Sequence, residues 1–144
     1  MRLPFRAPQP EEGSGRALPG WRKQSFALPY RGGMIWFEHL DGLGPHTELA
    51  REKLMQDRPA LLSPSGPGLV CVVLTETRVD DVLADELMDA LLHGGKRFTR
   101  VCVVGANLRI RRRFRRAAGN AFPLAFLPGL EQAKEWLIPA GKAE

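Results

Sequence analysis

Two cysteines and three histidines in 144 residues are too few for a disulfide framework or a tetrahedral Cys/His metal set. Cys71 and Cys102 each fall inside an apolar run, where a thiol behaves as a small hydrophobe, and His39, His46 and His93 have no spacing that pairs them as ligands. No apolar stretch approaches the ~18 residues that a membrane span requires. Residues 1–10 are interrupted by Pro4, Pro8 and Pro10, which argues against a secretory signal, so the expected location is the cytoplasm. The spaced glycines of a dinucleotide fingerprint or phosphate loop are missing, as are a nucleophile-elbow pattern and a local Cys–His signature. No aromatics alternate with the basic residues, and no helix-turn-helix, zinc-finger or RNA-recognition signature is present, which excludes a sequence-specific nucleic-acid reader of those types. These absences leave no catalytic residue, no metal ligand and no cofactor to name. The expectation is a non-enzyme.

What is present is a globular composition, 44% apolar and 26% charged. A domain of this length buries roughly 68–70% of its unfolded surface, enough for one core. Leu69 to Leu74 and Val101 to Val104 are nearly pure apolar runs, each followed by an amphipathic helical pattern. Strands apolar on both faces need helices on both faces, so the fold class is α/β with a mostly parallel sheet. Residues 1–23, rich in proline, glycine and basic groups, read as a flexible arm, 24–139 as the domain and 140–144 as a tail. Ser25–Pro29 and Gly33–Leu40 read as a hairpin around Tyr30-Arg31-Gly32-Gly33, its second strand with one face only partly buried. A helix follows from Gly44-Pro45 to Arg58, ended by Pro59, and 63–68 is a loop. Val79, Val82, Leu83, Leu87, Ala90 and Leu91 make one helix face, with Asp80 and Asp81 at its positive end and Gly94-Gly95 at its stop. Strand Thr99–Gly105, a helix from Asn107 or Leu108 to Ala118, strand Ala121–Leu127 and helix Leu130–Ile138, stopped by Pro139, complete the order β-β-α-β-α-β-α-β-α.

That order, with Val72-Val73-Leu74, Val79, Leu87, Val101-Cys102-Val103-Val104-Gly105 and the closing Glu131-Gln132-Ala133-Lys134-Glu135-Trp136-Leu137, resembles the STAS domain of sulphate transporters and anti-sigma-factor antagonists. It is most similar to the soluble SpoIIAA-like branch, over Ser25 to Ile138. The resemblance implies a single STAS-like domain, a central sheet flanked by four helices, acting as a regulatory or protein-interaction module. In that branch a Ser or Thr at the start of the helix after the central strand is phosphorylated by a partner kinase. Without gaps, Leu83-Ala84-Asp85 falls where the family carries its Asp-Ser-Ser or Asp-Ser-Thr, so the phosphoacceptor is missing here. Thr75 and Thr77 are the hydroxyls at this strand end, and Thr77 also reads as a helix cap with Asp80 three residues on.

Charge is segregated along the chain: residues 34–95 carry −7 and residues 96–116 carry +9, with no acid in the latter. Three candidate surfaces follow. The partner or switch candidates are Thr75, Glu76, Thr77, Asp80 and Asp81. Gly105, Asn107 and Arg109, where a strand end meets a helix N-terminus, are the candidates for a small anion. Lys96, Arg97, Arg100, Arg111, Arg112, Arg113, Arg115 and Arg116 are the candidates for a polyanion, either nucleic acid or an anionic membrane surface, with Ile110, Phe114, Ala117 and Ala118 turned to the sheet. Asp80, Asp81, Asp85, Glu86 and Asp89 read as a solvated helix face. The function expected is therefore a non-catalytic interaction module with a protein partner. The alternatives are a non-specific polyanion binder and a carrier of a small apolar ligand or lipid.

Overall fold

The computed structural model describes residues 24–30, 33–63 and 66–138, with Tyr30 described by its backbone alone. The expected arm 1–23, the hairpin residues 31–32, the loop residues 64–65, Pro139 and the tail lie outside these. The elements among the described residues are β1 Phe26–Tyr30, β2 Gly33–His39, α1 Thr47–Leu61, β3 Leu69–Val73, α2 Asp81–Gly94, β4 Arg100–Val104, α3 Leu108–Ala118, β5 Leu124–Leu127 and α4 Leu130–Leu137, with a 3-10 turn, Gly95–Arg97, before β4. This is the expected alternation.

The sheet order is β1-β2-β3-β4-β5, antiparallel between β1 and β2 and parallel thereafter. Each parallel strand is added on the same side of its predecessor. Right-handed crossovers that step in one direction put their helices on one face, and α1, α2 and α3 accordingly cover the face of Trp36, Val70, Val72, Val101 and Val103. The opposite face, with Ile35, Phe37, Cys71, Val73, Cys102 and Val104, packs against Ala133 and Leu137 of α4. The expected covering of both faces is thus three helices against one. All five residues of β3 are buried, as a strand in the middle of such a sheet requires.

Several expectations are corrected. Pro59 does not end α1, which continues to Leu61. In the last turn its ring lies near the helix end, and Leu62 N–H still bonds Arg58 at 2.9 Å. Pro45 precedes α1 rather than opening it, since His46 holds the N-cap position. β2 has no half-exposed face: Trp36, Glu38 and Leu40 are as buried as Ile35 and Phe37, because α1 closes over them. Val82 is 48% exposed, outside the buried face of α2, and Val79 lies before the helix. Ala117 is exposed on α3, where Ile110, Phe114 and Ala118 make the buried arc. β5 begins at Leu124, three residues later than expected. Asn107 caps α3 as expected, accepting from Ile110 N–H, and Gly95 leaves α2 with a positive φ of 49°, whereas the cap of α2 is Asp80, which accepts from Leu83 N–H.

Candidate functional site

The carboxyl ends of β3 and β4 continue into two loops that touch. Leu74 N–H donates to Val104 at 2.8 Å, and Gly105 has φ +85°. A Cβ on Gly105 would stand 2.6 Å from Thr75 Oγ1 and 2.7 Å from its backbone nitrogen, so only glycine fits. Glu76 has φ +59°, the only left-handed non-glycine among the described residues. Backbone bonds fasten this loop to the one after β2: Gly42 N–H to Thr75 O, Gly44 N–H to Glu76 O and Arg78 N–H to Gly44 O, each 2.8 Å.

Thr77 is the correction at this site. It caps no helix. Its hydroxyl donates to Leu40 O and accepts from Leu43 N–H at 3.1 Å, so it locks the two loops together, while Asp80 does the capping. Thr75, Glu76 and Asp80 are exposed around it, and Leu108, at the start of α3, is 52% exposed. Leu83 and Ala84, aligned with the family's acceptor position, are wholly buried in the core.

Of the anion candidates, Gly105, Asn107 and Arg109 do stand together at the β4–α3 turn, but both polar groups have partners already. Asn107 caps Ile110 at 2.9 Å, and Arg109 bonds Asp81. The polyanion candidates divide in the same way. Arg113 forms a two-pronged pair with Asp85 at 2.8 and 2.9 Å and also reaches Asp81 at 3.5 Å. That pairing holds the Asp85 carboxyl below its ordinary range and Arg113 above its own. Arg115 lies over Phe126, Arg97 over Phe98, and Arg100 over Trp136, whose carbonyl it also bonds. The Nε of Arg111 is buried without a partner. Arg112, Arg116 and Lys96 are exposed with no partner among the described residues.

The acidic face of α2 is consequently more than a solvated face. Arg51 of α1 pairs with Glu86 at 2.8 Å and Arg58 with Asp89 at 3.1 Å, while α3 supplies Arg109 and Arg113 on the other side. Between α1 and α2 an open groove of about 450 Å³ is floored by Leu54, Met55 and Val82, and these ion pairs rim it. On the inner side, Val70, Val72, Leu83, Leu87, Leu91, Val101, Val103, Ile110 and Phe114 are each wholly inaccessible, so no void that water could enter adjoins them. An apolar carrier site between the sheet and α2 or α3 finds no room among those residues.

A polar cluster went unnoticed in the sequence. Glu38 on β2 is fully buried under α1 and accepts from Trp36 Nε1 at 2.7 Å, while its Oε2 faces no donor. Burial, then Asp57, pushes the Glu38 carboxyl up to about 9, against the opposing pull of Trp36 and Lys53. Ser25, at the entry to β1, donates to Asp57 at 2.7 Å and accepts from Lys53 at 2.9 Å and from His39 N–H at 3.0 Å. A carboxyl residue alternating with Trp36 inside an aromatic strand, and the Lys53–Asp57 spacing of one helical turn, were the available signals. Nothing in sequence alone brings them together.

Among the described residues no group of three or more His, Cys, Asp or Glu could hold a metal ion, and no helix is long and apolar enough to cross a membrane. Comparison with family models, with curated proteins and with solved structures finds no match to this chain.

Proposed function

We propose that this chain is a STAS-like, non-catalytic interaction module that docks a protein partner on the loops beyond β3 and β4 and on the first turn of α2. The observation that carries the reading is the preset loop at Thr75-Glu76-Thr77. Holding Glu76 in the left-handed region costs about 1–3 kcal/mol, and such strain persists only where the surroundings over-determine it. Three backbone bonds and the Thr77 hydroxyl do so here. The outcome is a fixed surface that presents Thr75, Glu76, Asp80 and Leu108 without a cost of ordering on binding. Thr77 acts as scaffold. Asp81 is shared with Arg109 and Arg113, so it contributes shape more than free charge. A protein partner in the cytoplasm fits this reading best.

Affinity capture with quantitative mass spectrometry compares wild type, a Glu76→Lys/Leu108→Asp variant and an Arg112→Glu/Arg116→Glu variant. One protein captured by wild type and by the arginine variant, and lost with the loop variant, is expected. Polyanion binding is the second reading, favoured by Arg112 and Arg116, which are exposed one turn apart and have no partner among the described residues. Under it, the arginine variant alone loses its capture, the captured material is nucleic acid or anionic lipid, and binding falls steeply as salt rises.

A further inference from the structure

Cys71 in β3 and Cys102 in β4 are register partners in a parallel pair, so their side chains leave the same face of the sheet side by side. Adjacent strands lie about 4.8 Å apart, within the ~4.4–6.8 Å Cα separation that a disulfide spans. Both thiols are free and wholly buried, in the small core that Phe37, Val73, Val104, Ala133 and Leu137 share with them. The neighbouring Cys71 thiol holds Cys102 below its ordinary value, while Cys102 and burial together push Cys71 far up. The pair thus gives up a first proton more readily and retains the second, the behaviour of a coupled dithiol.

The cover over this pair is α4. It has eight residues and no side-chain cap at Gly129, and its Lys134 is the charged group that acts on Cys71. A helix so short has no stability of its own in water, so its seat depends on the buried Ala133 and Leu137, on the partly buried Leu130, Trp136 and Ile138, and on the Arg100–Trp136 contact. Among the described residues α4 also covers its face of the sheet with no neighbouring helix beside it, and an element held from one side opens locally before the domain unfolds.

We propose that Cys71 and Cys102 are a covalent modification site, oxidised to an intramolecular disulfide by a small-molecule disulfide when α4 lifts. The Cys102 thiolate attacks one sulfur of the oxidant RSSR; a Cys102–SR bond forms, the oxidant's S–S bond breaks and RS⁻ leaves. Cys71 then loses its proton and attacks the Cys102 sulfur, releasing a second RS⁻. Two protein thiols have been oxidised, RSSR has been reduced to two RSH, and the two protons from the protein end on those thiols. β3 and β4 are then joined at the centre of the sheet. The site is independent of the partner surface described above.

The test is incubation of the full chain with oxidised glutathione under native conditions, followed by intact-mass analysis and thiol counting after denaturation. Wild type is expected to lose both free thiols with no glutathione retained, and Cys71→Ser to keep one glutathione on Cys102. Leu137→Ala, which loosens the seat of α4, is expected to reach the same wild-type product about tenfold faster or more. Two thiols left free, two glutathione adducts, or a disulfide between chains would overturn the proposal from wild type alone, whether or not the variants fold. An unchanged rate in a folded Leu137→Ala protein would overturn the role of α4.

Discussion

Glu38 carries the most consequential side-chain chemistry in the molecule. A carboxylate with no access to water is costly, and its Oε2 meets no donor, so the group holds its proton at neutral pH and can give that hydrogen to Asp57. The folded-state value of about 9 lies above the ordinary 4.5, so the proton is bound more tightly in the folded chain. Stability from this site is full below the ordinary value and is lost as pH rises through about 9. Urea midpoints of wild type should therefore fall between pH 5 and 9, whereas Glu38→Gln, which keeps the shape and supplies a permanent donor, should show a flatter profile. Parallel profiles for the two proteins would contradict the assignment. An infrared band from a protonated carboxyl at neutral pH, absent in Glu38→Gln, gives the same answer spectroscopically. Glu38 was illegible in the sequence because its partners arrive from β2 and α1, and its alternation with Trp36 reads equally well as a wet strand face.

At the scale of elements, local chemistry made most of the chain legible. Asn107 caps the helix that its position announces, Asp80 lies at the positive end of α2 where its charge suits it, and the apolar runs at Leu69 and Val101 became the buried strands β3 and β4. The misses came where tertiary contact outweighs local preference. Pro59 is tolerated in the last turn of α1, and Thr77, well placed by spacing to cap α2, is drawn instead into the loop after β2. The ion pairs from α2 to α1 and α3 needed the helix order, which spacing along one chain does not disclose. Gly94 illustrates a packing constraint of the same kind: a Cβ there would stand 2.1 Å from the Phe98 ring, which is buried. Gly94→Ala should lower stability by about 1–3 kcal/mol despite the helix preference of alanine. Chemical denaturation measures it, and a stabilised variant would show that Phe98 does not pack against α2 as described.

For the whole molecule, topology decides where function can sit. Because β2 to β5 are added in one direction, three helices share one face and the carboxyl ends of the strands gather their loops at one rim. That rim was legible as a candidate from Thr75-Glu76-Thr77 and Gly105-Ala106-Asn107. Its rigidity was not, since the bonds that fix it join residues more than thirty positions apart. The arginine block, the most conspicuous feature of the sequence, proves to be largely engaged: Arg109 and Arg113 by acids of α2, Arg97, Arg100 and Arg115 by aromatic rings.

The central claim is that the rim, rather than the outer face of α3, receives the partner. Hydrogen–deuterium exchange of the full chain, with and without the protein recovered by capture, tests it most directly. New protection over residues 75–81 and 105–109, with 112–116 unchanged, is predicted. Protection confined to 112–116, or none at the rim when the partner is saturating, would contradict the account.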